Sequence, residues 1–320
     1  MSPFTRCAIH PGKLQSITPR SGSIVVQLPD FLGRYRLAKY IRSGNSSQIW
    51  EAIRDNQDRF VLKVLRPEHW GDKDEIALLK HEFEVGHSLK HPNIIGIHEF
   101  NLEGKIAFLV LDVFCVLNVK QAQRENPARI LFLFSKIAEQ MTLSLGHMHE
   151  KKWIHCDVKP DNFLLNDDGV VKLIDFTIAQ KAATGMMARM FGGQKLIRGT
   201  RSYMSPEQIR RQPLDGRADI YSLGCVFYEL LSGKPPFTGD NPNDLLQKHL
   251  TGAVPSVVVQ NDNVMPGLAA LIRKMMSKKP DGRPQSMVEV LKELRASKAF
   301  KLAPKMPEVA EEASTEDSAD

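Results

Sequence analysis

Between His155 and Asn162 the chain reads His-Cys-Asp-Val-Lys-Pro-Asp-Asn, and thirteen residues past Asn162 comes Asp175-Phe176-Thr177. Two carboxylates, an amide and a lysine in this pattern suit metal-assisted phosphoryl transfer. An acid must accept or orient the proton of the attacking group, while Asn and Asp oxygens can hold Mg²⁺ against phosphates. Upstream, Val61-Leu62-Lys63 puts a lysine inside an apolar strand. A cation placed there needs an anion, here a phosphate together with a helix carboxylate.

Two kinds of element must position these groups. From about Tyr35 to Val113 the chain is strand-rich. Tyr35–Ile41, Ile49–Ile53, Arg59–Leu65, Ile94–Asn101 and Lys105–Leu111 carry short apolar or alternating patterns. Gly44-Asn45, Asp55-Asn56 and Glu103-Gly104 supply the turns. One helix interrupts, Lys73 to Lys90, and His91-Pro92-Asn93 stops it because proline disfavours helical backbone at the preceding residue. From Ala128 onward helices dominate: Ile130–Glu150, Arg217–Ser232, Asn243–His249, Gly267–Met276 and Ser286–Ala296, with Phe163–Leu165 and Val170–Ile174 as strands. The expected class is α+β, a small, mostly antiparallel sheet lobe with one helix and then a larger helical lobe.

Composition narrows the function. At 320 residues, 42% apolar and 25% charged, the chain is neither wholly disordered, nor collagen-like, nor a disulfide scaffold. Its 43 basic and 37 acidic residues leave +6, which suits an anionic ligand and does not call for nucleic acid. No apolar run approaches the roughly 20 residues of a bilayer span, and the N-terminus has no signal-peptide apolar region. No membrane segment and a cytoplasmic location are therefore expected. Cys7, Cys115, Cys156 and Cys225 stand far apart with no C-x-x-C pair, against both zinc and a disulfide framework. Residues 1–34, basic at Arg6, Lys13 and Arg20 with no acid before Asp30, read as a flexible leader. Residues 299–320, with Glu308, Glu311, Glu312, Glu316, Asp317 and Asp320, read as an acidic disordered tail.

Taken together in order, these motifs resemble the eukaryotic-type (Hanks-type) serine/threonine protein kinases, bacterial members above all. The resemblance implies a bilobal kinase domain over 35–298, with a sheet lobe 35–113 and a helical lobe 114–298. It gives Lys63 the place of the third-strand lysine, and Glu82, nine residues before His91, the place of its helix partner. Asp157 matches the catalytic-loop base, Lys159 the phosphate-contacting lysine of Ser/Thr kinases, and Asn162 and Asp175 the metal ligands. Gly199-Thr200 and Ser205-Pro206-Glu207 resemble the peptide platform, Asp219 the central-helix aspartate, and Arg283 the partner of Glu207. Ile41, Gly44, Ile49, Val61 and Leu164 fall on the nucleotide-site positions. Leu111 falls on the gatekeeper, followed by a hinge at Asp112-Val113-Phe114. ATP, Mg²⁺ (with Mn²⁺ as the alternative ion) and protein substrates bearing Ser or Thr are the implied partners, with oligomeric state left open.

The chain departs from that pattern in four places. The phosphate loop 41–49 keeps Gly44 alone, with Arg42 and Ser47 where the family has glycine, and side chains there stiffen or obstruct the turn. Thr177 replaces the glycine after Asp175-Phe176. Cys156 replaces the arginine that receives an activation-loop phosphate, so activity is expected not to require a phosphate on Thr184. Val61 replaces a small alanine, and Gly86 a large apolar residue, which would loosen the helix carrying Glu82; Glu84 is the alternative partner. The worn positions leave a second reading, a pseudokinase serving as scaffold or nucleotide sensor. A small-molecule phosphotransferase is a third, disfavoured by the peptide-platform residues. His81, His87, His147 and His149 read as structural, and the basic segment with Lys181, Arg189, Lys195, Arg198 and Arg201 as a solvated face or a dock for acidic substrates.

Overall fold

The computed structural model describes residues 28–55, 57–182 and 199–307. Its chain divides into two units, Met1–His87 with Gly96–Cys115, and Ser88–Ile95 with Val116–Asp320. Thr184 and the basic residues Arg189, Lys195 and Arg198 lie outside the described residues.

The first unit is an antiparallel sheet. Its strands are β1 (Phe31–Leu32), β2 (Tyr35–Ser43), β3 (Ser47–Arg54), β4 (Arg59–Leu65), β5 (Ile97–Glu103) and β6 (Ile106–Leu111), in the order β1-β2-β3-β4-β6-β5. Alternation sorts the two faces. Tyr35, Ala52, Leu62, Val64, Phe108 and Val110 join Leu32 in one buried cluster. The intervening residues Ile49, Val61, Lys63, Leu109 and Leu111 fall on the opposite face, and the register pairs Ile49 and Leu109 with Lys63, and Leu111 with Val61. The helix α1 (Lys73–His87) turns Leu79, Glu82, Val85 and Gly86 inward at helical spacing and sets Phe83 against Phe100 of β5, with ring centroids 6.4 Å apart.

Two boundaries differ from expectation. The leader expected over residues 1–34 gives way before its end, since Leu32 is 1% exposed and packs with Tyr35. Gly33, at φ 57°, folds β1 back onto β2, and a Cβ there would meet Glu103 at 3.0 Å. The expected strand 94–101 is likewise cut. Ile94 and Ile95 belong to the second unit, where the Leu173 amide donates to Asn93 and the Ile95 amide to Leu173, and β5 begins only at Ile97.

The second unit is helical around α2 (Val119–Glu125), α3 (Pro127–Glu150) and, later, α5 (Gly216–Ser232). Asn118 and Asn126 cap α2 and α3 through their side chains, and proline at the first turn of α3 needs no amide partner. Short strands β7 (Trp153–Ile154), β8 (Phe163–Leu165), β9 (Val171–Leu173) and β10 (Gln180–Lys181) pair as β7 with β10 and β8 with β9. After them come α4 (Pro206–Ile209), then α6 (Pro242–Thr251), α7 (Val257–Gln260), α8 (Pro266–Met275) and α9 (Met287–Ala296). The tail expected from residue 299 is contradicted at its first residues. Phe300 packs on Phe134 with centroids 6.1 Å apart, and the Met265 amide donates to Ala299 at 2.9 Å, so 299–302 are part of the fold. No described helix is long and apolar enough to cross a membrane.

Two buried polar groups in this unit show different degrees of pairing. Glu229, 1% exposed, accepts from Lys120 and, at 2.6 Å, from the Tyr203 hydroxyl. His249, fully buried, contacts the Tyr221 hydroxyl through Nδ1 at 3.0 Å. Burial, and then the nearby Lys278 ammonium, push its imidazole down to about 4 from 6.5. The fold therefore holds His249 neutral where the unfolded chain would take up a proton. Stability should be complete above the unfolded value and fall as pH drops from about 6.5 toward 4, by up to about 3 kcal/mol. Urea melts at pH 7 and pH 4.5 should show that loss, and His249→Gln should flatten it. An unchanged slope in the variant would rule out His249 as the source.

Candidate active site

On the first unit, Lys63 projects from β4 on the face opposite the apolar cluster and donates to Glu82 of α1 at 2.6 Å. Glu82 is 2% exposed, so this is a buried ion pair, closed despite Gly86 one turn later. Glu84, the alternative partner, is exposed. The turn between β2 and β3 is tight. The Gly44 amide donates to Ser47 O at 2.7 Å, the Arg66 amide to Ser46 O at 2.9 Å, and Ser43 pairs with Gln48. Arg42 pairs with Ile49 and Ser47 with Leu65, while Ile41 falls at the register shift between Tyr40 and Arg42. At the end of β6, the Asp112 carboxylate accepts from the Gly96 amide at 3.1 Å and lies 2.8 Å from His98 Nε2. A Cβ at Gly96 would stand 2.6 Å from Asp112 Oδ2, which explains glycine there. Val113 and Phe114 follow Asp112 without strand or helix, and Leu111 is 8% exposed.

On the second unit, one buried carboxylate organises the loop after β7. Asp219 of α5 accepts from the amides of His155 (2.8 Å) and Cys156 (3.0 Å) and lies 2.9 Å from His149 Nε2. Burial opposes its ionisation, but the hydrogen bond and charge of His149, with the His155 contacts, hold its carboxyl below the usual range. Cys156 bends the chain at φ 68°, sending Asp157 outward. Lys159 Nζ donates to Asp157 Oδ2 at 2.6 Å and to Thr200 Oγ1 at 2.8 Å, while the Thr200 amide donates to Asp157 Oδ1 at 2.8 Å. Gly199, at φ 113°, permits this approach, since a Cβ would meet Cys156 O at 3.0 Å. Asn162 Nδ2 donates to Asp157 O at 2.8 Å and contacts Oδ2 at 3.2 Å, so the amide's oxygen is turned to the other side. The Ile174 amide donates to Asn162 O at 2.9 Å, tying β9 and the following Asp175 to this loop. Asp175 stands at φ 67°, Phe176 is fully buried against His155, and Leu164 in β8 is 7% exposed.

The structure thus brings Asp157, Lys159, Asn162 and Thr200 into one hydrogen-bonded group, with Asp175 joined through Ile174. A carboxylate oxygen from Asp175 and an amide oxygen from Asn162 are hard donors, a set that fits Mg²⁺ better than a soft metal. Three supporting contacts have no sequence signal. Gln208 Nε2 donates to Cys156 O at 2.8 Å, His149 reaches Asp219 from α3, and the Thr177 hydroxyl donates to Asp175 Oδ1 at 2.6 Å. Each pairs residues distant in the chain or at a position where the related pattern has no side chain.

Cys156 is not a nucleophile here. Burial, and then the Asp219 charge, push its thiol well above the ordinary value. It packs with Ile154, Leu214 and Ala218, with Ile178 and Ala182 against them. That apolar contact stands where a phosphate-receiving arginine would otherwise link the loop to the following segment. In folded protein at pH 8, Cys156 should resist iodoacetamide, and a modified Cys156 peptide in the mass spectrum would contradict this.

Comparison with known proteins gives the family. The protein kinase domain family matches residues 35–294. A probable serine/threonine-protein kinase of Clostridium acetobutylicum is 30% identical over 265 residues, 82% of this chain and 39% of its own length. The serine/threonine-protein kinase PrkC of Bacillus subtilis is 31% identical over 253 residues, 78% of this chain and 38% of its own. PknA of Mycobacterium tuberculosis, also a serine/threonine-protein kinase, is 33% identical over 261 residues, 79% of this chain and 59% of its own. The chain therefore spans about two fifths of the first two relatives and three fifths of the third.

Proposed function

We propose that this chain, which belongs to the protein kinase domain family, transfers the γ-phosphoryl group of ATP to serine and threonine hydroxyls of protein substrates. The observation that carries the reading is the group in which Lys159 bridges Asp157 and Thr200 while the Thr200 amide holds the other Asp157 oxygen. A carboxylate fixed through both oxygens is aimed before any substrate arrives, and such preorganisation is the main way proteins accelerate phosphoryl transfer.

Each side chain then has one task. Asp157 orients the acceptor hydroxyl and takes its proton as the O–P bond forms. Lys159, already an ammonium donor at Asp157, offers its charge to the transferred phosphoryl oxygens, the role that the resemblance gives to the phosphate-contacting lysine of serine/threonine kinases. Asn162 and Asp175 would hold Mg²⁺, or Mn²⁺ as the alternative, which when bound neutralises charge on the phosphates. Lys63, oriented by Glu82, supplies a cation for the α- and β-phosphates. Ile41, Ile49, Val61, Leu111 and Leu164 offer apolar contact to the adenine, and the backbone of Asp112 and Phe114 its hydrogen bonds. Gly44 lets the turn approach the phosphates. ADP leaves as the other product. A cytoplasmic location, protein substrates and no role for nucleic acid accompany this reading.

The test is a thermal shift of the full chain with ATP and Mg²⁺, followed by phosphoamino-acid analysis of a generic protein acceptor after incubation with γ-labelled ATP. A nucleotide-dependent rise in the melting midpoint and label on serine or threonine are expected. Stabilisation without label would replace the enzyme by a nucleotide-sensing scaffold.

A further inference from the structure

Thr177 is the one departure from the family pattern that the structure places on a proposed metal ligand. Its hydroxyl donates to Asp175 Oδ1 at 2.6 Å, and its amide points to the same oxygen at 3.4 Å. We infer that Thr177 is a positioning residue for the metal-binding carboxylate: its hydroxyl locks Asp175 in one orientation. The inference rests on the reading of Asp175 as a metal ligand.

Several features make the lock rigid. Threonine is branched at Cβ and stiff about χ1, so its hydroxyl is presented with little rotational freedom. Phe176, between the two residues, is fully buried and edge-on to His155 with centroids 5.8 Å apart. His155 Nε2 in turn lies 3.2 Å from Ile174 O, just before Asp175. Asp175 is held at φ 67°, a backbone setting that surrounding contacts must maintain. A hydroxyl donating to an ionised oxygen makes a charge-assisted bond, the stronger kind. Glycine in this place would offer only its amide. Groups that orient a metal ligand in this way commonly change metal affinity when removed, without touching the metal themselves.

The experiment measures Mn²⁺ binding by electron paramagnetic resonance, with the full chain and a non-hydrolysable ATP analogue at saturation. Thr177→Val removes the hydroxyl and keeps the shape, Thr177→Ala repeats the deletion should valine disturb the fold, and Thr177→Ser keeps the donor. Valine and alanine are expected to raise the Mn²⁺ dissociation constant about tenfold or more, and serine to restore it to within about twofold of wild type. Thermal midpoints without ligand should remain close together. Asp175→Asn serves as the reference and should weaken Mn²⁺ binding further, leaving more of the free-ion signal. Wild-type or tighter Mn²⁺ binding in valine and alanine, while Asp175→Asn still weakens it, would overturn the positioning role alone. An Asp175→Asn protein that binds Mn²⁺ like wild type would remove the ligand assignment and the inference with it.

Discussion

Asparagine in place of Asp157 should slow phosphoryl transfer by about 10²–10⁴ while leaving the fold and ATP binding in place. The side chain keeps its shape but offers one oxygen where the carboxylate offers two, so either Lys159 or the Thr200 amide keeps its acceptor, and the group can no longer take a proton. The three contacts to the Asp157 carboxylate, from Lys159 at 2.6 Å, the Thr200 amide at 2.8 Å and Asn162 at 3.2 Å, are all made within the second unit. A thermal midpoint near wild type and an intact nucleotide-dependent shift are therefore expected beside the collapse in rate. A loss of rate smaller than about tenfold would mean that Asp157 has no proton to accept.

Arg283→Met should produce the largest loss of stability. The Arg283 side chain is fully buried and meets the Glu207 carboxylate through both guanidinium ends, at 2.5 and 2.8 Å. It also donates to Ser277 O at 2.8 Å and Arg217 O at 2.8 Å, so one side chain ties α4 and the start of α5 to the segment before α9. Removing the cation leaves a buried, unpaired carboxylate, which costs about 3–5 kcal/mol, on the order of a 10 °C fall in the melting midpoint. The paired change Arg283→Met with Glu207→Leu should recover part of that loss, because no charge is then left behind. Calorimetry of the three variants decides it. A fall below about 1 kcal/mol in the single variant would mean that water or another cation reaches Glu207.

How far residues alone led is clearest at particular positions. Lys63 stood out because a lysine amid Val61, Leu62 and Val64 breaks an apolar alternation, and the structure pairs it with Glu82. Composition misled at both ends of the described chain. Leu32 joins a buried cluster and Phe300 packs on Phe134, contacts that only the return of a distant element creates. Ile94 and Ile95 read as the start of a strand because their apolar character is identical whichever partner they take. Their pairing with Leu173 comes from a hydrogen bond across many residues, invisible to local periodicity. The two-residue strands β7 and β10 are too short to show any period. The hydroxyl of Thr177 could be read only as a missing glycine, whereas its contact with Asp175 depends on a backbone bend at φ 67°.

Transfer by the Asp157 group is tested most directly by its rate. Wild type and Asp157→Asn, prepared in parallel, should be incubated with γ-labelled ATP, Mg²⁺ and a protein acceptor, and the label on serine and threonine counted over time. Wild type should incorporate label at least about 100 times faster than the variant. Equal incorporation by both proteins, or none by a wild type that binds ATP, would contradict the account.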